Sequence, residues 1–87
     1  MKYVLMYESG EDVRTKAPIH FPAHRERWQR FVVDGTLLLI GPFTDLEGSM
    51  AVFRTREAAE EFAKEDPFVL NGVVQTWRIR EWNEALT

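Results

Sequence analysis

The sequence predicts an α+β domain of the ferredoxin-like type: one antiparallel four-stranded sheet carrying two helices on one face. Three observations predict it. Strand-like and helix-like segments follow one another in the order β-α-β-β-α-β, the split-βαβ arrangement. The two central strands are joined by a short turn, as a hairpin requires. The 87 residues, without repeat or linker, allow one core and therefore a single domain over residues 1–87.

Residues 2–8 are rich in β-branched and aromatic types and contain no breaker, so they predict the first strand. The polar stretch from Ser9 to Ala17 lacks periodicity and reads as a long loop, of a length at which functional loops concentrate. The first helix is expected to begin near Pro22, a residue suited to a first helical turn. Trp28, Phe31 and Val32 then fall at helical spacing, with Arg25, Glu26, Gln29 and Arg30 on the other face. Asp34-Gly35 stops it, Gly35 being free to adopt the left-handed conformation that follows a helix.

Thr36 to Phe43 is the second strand, and its Leu37–Ile40 run has the look of a strand buried on both faces. Asp45-Leu46-Glu47-Gly48 is the turn and Ser49 to Arg54 the third strand. Thr55 can cap the second helix, whose apolar stripe is Ala58, Ala59, Phe62 and Ala63. Asp66-Pro67 ends that helix, because the residue before proline is pushed out of the α region. In the last strand, Val73 to Trp82, Val73, Trp77 and Ile79 alternate with Thr76, Arg78 and Arg80. Arg78 and Arg80 share one strand face and could hold an anion or form ion pairs at an interface.

Composition narrows the function classes. The absence of cysteine excludes disulfides and thiolate-bound metal. Eleven basic against fourteen acidic side chains leave a formal charge of −3, which argues against a nucleic-acid partner, since phosphate contacts need a basic excess. No stretch approaches the ~18 apolar residues of a membrane span, and the apolar opening is too short for a secretion signal. No membrane association and a cytoplasmic address are expected. Three Trp, two Tyr and six Phe in so short a chain exceed what one small core needs. With helices on one sheet face, the other face is bare, and a homodimer joined through it is expected.

This topology gathers particular side chains. The start of the first helix, the end of the second and the Asp45–Gly48 turn all come to one end of the sandwich. His24 is thereby placed in the first turn of the first helix and Asp66 just after the second. His24 lies four residues before Trp28 and seven before Phe31, on the face that packs toward the sheet. A helix N-terminus would favour the neutral ring, the form a general base requires. Asp66 would fix its tautomer. An inward histidine is also commonly a satisfied core residue, and Asp-Pro an ordinary helix stop, so the bland reading stays open beside the chemical one. His20 and His24 have the i, i+4 spacing of helical metal ligands. Pro22 between them places His20 before the helix and no third ligand is evident, so no metal site is expected. Gly41-Pro42-Phe43-Thr44-Asp45 lacks the spacing of a phosphate loop, and Ser9 has no base partner in sequence.

Met1-Lys2-Tyr3, Ala23-His24, Gly35-Thr36-Leu37-Leu38 and Gly41-Pro42-Phe43-Thr44-Asp45 occur in a recognisable order. Glu57-Ala58-Ala59, Asp66-Pro67-Phe68, Asn71-Gly72-Val73 and Trp82 complete it. In this order and spacing the chain resembles the YciI-like (YCII-related) family over nearly its whole length. It departs from the common pattern at Arg25, where a leucine usually follows the histidine. The resemblance implies a dimeric α/β barrel and a histidine–aspartate active-site pair, which by position carries over to His24 and Asp66. It also implies action on small organic molecules, often aromatic or lactone-like, with no common cofactor. The expected activity is cofactor-free proton transfer, such as elimination, isomerisation or dehydrohalogenation, on a small cyclic substrate. His24 would be the general acid/base and Asp66 its orienting partner, with Tyr7, Phe43 and Phe68 lining the pocket. The alternatives are a non-catalytic small-molecule-binding module and a protein-interaction dimer.

Overall fold

In the computed structural model, which describes residues 1–85, the chain runs β1 (Lys2–Ser9), α1 (Val13–Val33), β2 (Leu37–Pro42), β3 (Gly48–Phe53), α2 (Arg56–Glu65), α3 (Pro67–Leu70) and β4 (Val74–Trp82). The four strands form one sheet in the order β2-β3-β1-β4, and every pairing is antiparallel. This is the ferredoxin-like arrangement that the element order predicts.

The largest departure is the start of α1. Ser9–Ala17 is not a long loop: α1 begins at Val13 and carries Pro18 and Pro22 in its interior. A proline inside a helix leaves the carbonyl four residues earlier without its donor, at a cost of about 3 kcal/mol. Both prolines are solvent-exposed, so water can serve the orphaned carbonyls of Arg14 and Pro18. His20 consequently lies within the helix rather than before it. His24 lies about three turns in, not in the first turn. At the far end, Gly35 takes φ +84°. The Thr36 N–H donates to the Phe31 carbonyl and the Gly35 N–H to that of Val32, the Schellman closure that glycine permits.

Strand β2 explains its own mixed pattern. Leu37 pairs with Phe53 and Leu39 with Val52, so Leu38 is an extra residue in a bulge. The bulge lets Leu37 and Ile40, three apart, both face the helices. Leu39 is turned the other way and is 66% exposed, so within the chain this run is not buried on both faces. Between sheet and helices the core consists of Leu5, Phe31, Leu37, Phe53 and Phe62, with Ala58, Ala59 and Ala63 letting α2 lie close to the sheet. The Thr55 hydroxyl accepts the Ala58 N–H and caps α2, as expected.

On the other side of the sheet, the register sets Val4, Met6, Met50, Val52, Leu39 and Trp82 on one surface. At the cavity end the β1–α1 turn passes tightly over the α3–β4 turn. A Cβ on Gly10 would lie 2.3 Å from the Gly72 carbonyl oxygen, so only glycine fits there.

Candidate functional site

Asp66 sits at a junction that its own neighbours create. Pro67 cannot continue α2 but suits the first position of a new helix. Asp66 therefore closes α2 and caps α3 with the same residue, its Oδ1 accepting the Phe68 N–H at 3.1 Å. This α3 turn is the element that the sequence reading does not contain. It swings the Asp66 carboxylate inward, where the side chain has no solvent exposure.

Two more donors meet that carboxylate. The Tyr7 hydroxyl donates to Oδ2 at 2.6 Å from the middle strand β1. His24 Nδ1 lies 2.7 Å from Oδ1, brought there by the inward face of α1. Burial first, and then the adjacent Asp66 charge, push the Tyr7 phenol far above its ordinary range, so it stays a donor. An ionised carboxylate only accepts, so the hydrogen of the His24–Asp66 contact belongs to Nδ1. Nε2 of the neutral ring then carries the lone pair. Among the described residues Nε2 has no hydrogen-bond partner, yet no side-chain nitrogen or oxygen is both fully buried and unpartnered. That nitrogen therefore keeps its contact with open space.

The open space is a cavity of about 570 Å³ between α1 and the sheet, whose lining includes Tyr7, Phe21, His24, Trp28, Ile40 and Phe68. Phe68 stacks on the imidazole, with ring centroids 3.8 Å apart and planes inclined by 4°. Phe21 and Phe62 approach it at 6.1 Å from other sides. The imidazole is thus clamped in orientation by aromatic faces and by one hydrogen bond, at the wall of a largely apolar chamber.

Of the residues singled out from sequence, His24, Asp66, Tyr7 and Phe68 come together. Phe43 does not line this cavity. It borders a separate hollow of about 300 Å³ with Met6, Glu8, Thr76 and Arg78, whose side chains belong to the open sheet face. The position of Phe43 at the end of β2 gives the correct end of the sandwich but not its side. The macrodipole argument for His24 also lapses, because that field is spent within the first turn. Ser9 donates its hydroxyl to the Leu46 carbonyl at 2.9 Å and ties β1 to the hairpin turn at the cavity mouth. Arg14, Phe21 and Trp28 are lining residues that the sequence reading did not assign. The signal was present: continuing the His24–Trp28 stripe backward past the prolines reaches Phe21, Ala17 and Arg14. Among the described residues no group of three or more His, Cys, Asp or Glu is placed to hold a metal ion. No helix among them is long and apolar enough to cross a membrane.

The model of the YCII-related domain matches residues 1–83. The chain belongs to this family. Among solved structures, the YCII-related chain is similar to 5-chloro-2-hydroxyhydroquinone dehydrochlorinase (TftG) from Burkholderia phenoliruptrix AC1100, in complex with 2,5-dihydroxybenzoquinone. The TM-score is 0.80 at 14% identity, covering 98% of this chain and 96% of that one. It is also similar to the structured domain of Caenorhabditis elegans BMY-1, with a TM-score of 0.58 at 11% identity over 97% and 98% of the two chains. At these identities the likeness is one of fold. No curated protein matches the chain.

Proposed function

We propose that this YCII-related protein is an acid–base catalyst of proton transfer on a small cyclic substrate, with His24 as the base and Asp66 as its orienting partner. The observation that carries the reading is the setting of the imidazole: Nδ1 is held by a buried carboxylate, and the ring lines an apolar cavity into which Nε2 would project. In the elimination form, Nε2 takes a proton from a carbon next to a carbonyl or enol. The C–H electron pair becomes a double bond, the neighbouring leaving group departs with its own pair, and the imidazolium passes its proton to solvent. In the isomerisation form the same proton is returned to another carbon. Asp66 stabilises the imidazolium without itself being protonated, and Tyr7 holds Asp66 in place. A base of this kind contributes about 10²–10⁴-fold. The dehydrochlorinase activity of a protein with the same fold supports elimination from halogenated hydroquinones as the first reaction to test.

The open sheet face, with Leu39 and Trp82 exposed, supports pairing of two copies through it. Sedimentation at low micromolar protein is expected to give twice the chain mass, and a monomer would reject this pairing.

The test of activity is carbon-bound hydrogen exchange in deuterium oxide, together with halide release, across enolisable cyclic ketones and chlorinated hydroquinones. Wild type is expected to accelerate one of these, and His24→Asn to lose about 10²–10⁴ of that acceleration. Equal rates in the two proteins would overturn the assignment.

A further inference from the structure

One face of α1 walls the cavity along most of the helix. Arg14, Ala17, Phe21, His24 and Trp28 all line it, and they recur at the three- and four-residue spacing of a single helical stripe. At about 1.5 Å per residue, the ten positions between Arg14 and His24 separate their backbones by roughly 15 Å. The cavity therefore runs as a slot along α1, past His24, from Arg14 to Trp28. Its volume of about 570 Å³ falls within the roughly 300–1,000 Å³ range of pockets that bury drug-sized ligands, more than a single ring needs.

The slot is chemically uneven. The Phe68 ring stacks on His24 and Phe21 stands beside it; along α1, Ala17 and Pro18 line the stretch between His24 and Arg14. Among the described residues that line the slot, Arg14 is the only Lys or Arg. It makes no ion pair or side-chain hydrogen bond among the described residues, where the cationic groups that do are Met1, Lys2, Arg27, Arg30 and Arg54. An unpaired guanidinium beside apolar walls is suited to a carboxylate, which it can grip with two parallel hydrogen bonds.

We infer that the slot binds an elongated, acidic ligand, its cyclic head against His24 and Phe68 and its carboxylate at Arg14, roughly 10–15 Å away. The assignment of the head as the reacting end rests on the acid–base reading of His24; the assignment of Arg14 as the anion subsite does not. The inference narrows the substrate class to aryl or cycloalkyl compounds bearing a carboxylate on a chain of several atoms.

The test uses benzoate, phenylacetate, phenylbutanoate and phenylhexanoate, each beside its neutral primary amide, with Kd read by calorimetry. The proteins are wild type, Arg14→Met, Arg14→Lys and His24→Asn; Arg14 is exposed, so its variants should fold. In wild type the preference for carboxylate over amide is expected to appear in the long members and to reach about ten- to a hundredfold. Arg14→Met should bring it close to one, with Arg14→Lys in between. His24→Asn should keep it, which separates this subsite from the catalytic reading. A preference that is flat along the series, or unchanged in Arg14→Met, overturns the inference, as does failure of the long members to bind. Turnover of neutral cyclic substrates without any carboxylate preference would reject the subsite while leaving His24 as the base.

Discussion

Replacing Asp66 by Asn tests the buried network with a side chain of the same shape. The carboxylate now accepts from three donors: the Tyr7 hydroxyl at 2.6 Å, His24 Nδ1 at 2.7 Å and the Phe68 N–H at 3.1 Å. Asparagine keeps one accepting oxygen and puts an NH₂ where the other stood. If the NH₂ faces Tyr7, the hydroxyl must turn around and accept. If it faces His24, Nδ1 must give up its hydrogen and the ring changes tautomer, so that Nε2 loses its lone pair. Either arrangement also removes the charge that strengthens these bonds. Loss of one charge-assisted hydrogen bond costs about 1.5–3 kcal/mol, against a typical total stability of about 5–15 kcal/mol. Asp66→Asn is thus expected to fold with a lowered urea midpoint. Asp66→Ala would strand all three donors and remove the α3 cap, at about 1–3 kcal/mol per buried donor, and is expected to be unfolded or nearly so. The assay is urea denaturation together with nitrogen-15 NMR of the His24 ring, which distinguishes the tautomers. An Asp66→Asn protein with wild-type stability and an unchanged imidazole spectrum would refute the claim that this carboxylate organises the site.

Three further outcomes follow from single positions. The Tyr7 phenol is held above its ordinary value in the fold, while an unfolded chain ionises there above about pH 10. Its contribution is therefore fully present below about pH 10 and is lost as pH rises beyond it, by about 1.4 kcal/mol per unit. In a Tyr3→Phe protein, phenolate absorbance should accordingly appear only with unfolding, and Tyr7→Phe should show a shallower alkaline decline in Tm. Pro22→Ala restores a helical donor on an exposed turn of α1 and should raise stability by up to about 3 kcal/mol, read from the urea midpoint; no gain would mean that the carbonyl of Pro18 does not miss its partner. Gly35→Ala forces a Cβ into the left-handed region at φ +84° and should cost about 1 kcal/mol in the same assay.

The strand order was legible because each strand carries its own local signal and the antiparallel topology then allows few arrangements. The same topology brought His24 and Asp66 to one end of the sandwich, and helical phase turned His24 inward. The beginning of α1 was not legible, because the polar Ser9–Ala17 stretch shows no periodicity and Pro22 reads as a first-turn residue, which sets the helix start too late. Val13, Ala17 and Phe21 lie on the cavity-lining side of the helix, and exposure of the prolines lowers the penalty. Asp66-Pro67 carries two messages, a stop for the helix before it and a start for the one after it, and the second shows only in the short Pro67–Leu70 helix itself. The bulge at Leu38 has no composition of its own; it shows only as a strand whose apolar residues occupy both parities. Phe43 illustrates a general limit: position along the chain locates an end of the sheet, whereas its face depends on register at the last paired residue.

The most direct test of the central claim, that His24 Nε2 faces a substrate while Asp66 holds the other nitrogen, is a crystal structure with 2,5-dihydroxybenzoquinone, the ligand of the structurally similar dehydrochlorinase. The account predicts the ring in the α1–sheet cavity with a ring atom or substituent within about 3–3.5 Å of Nε2. The 2.7 Å contact between Nδ1 and Asp66 should be intact. A ring seated elsewhere, or Nε2 occupied by a protein atom with the ligand bound, would contradict it.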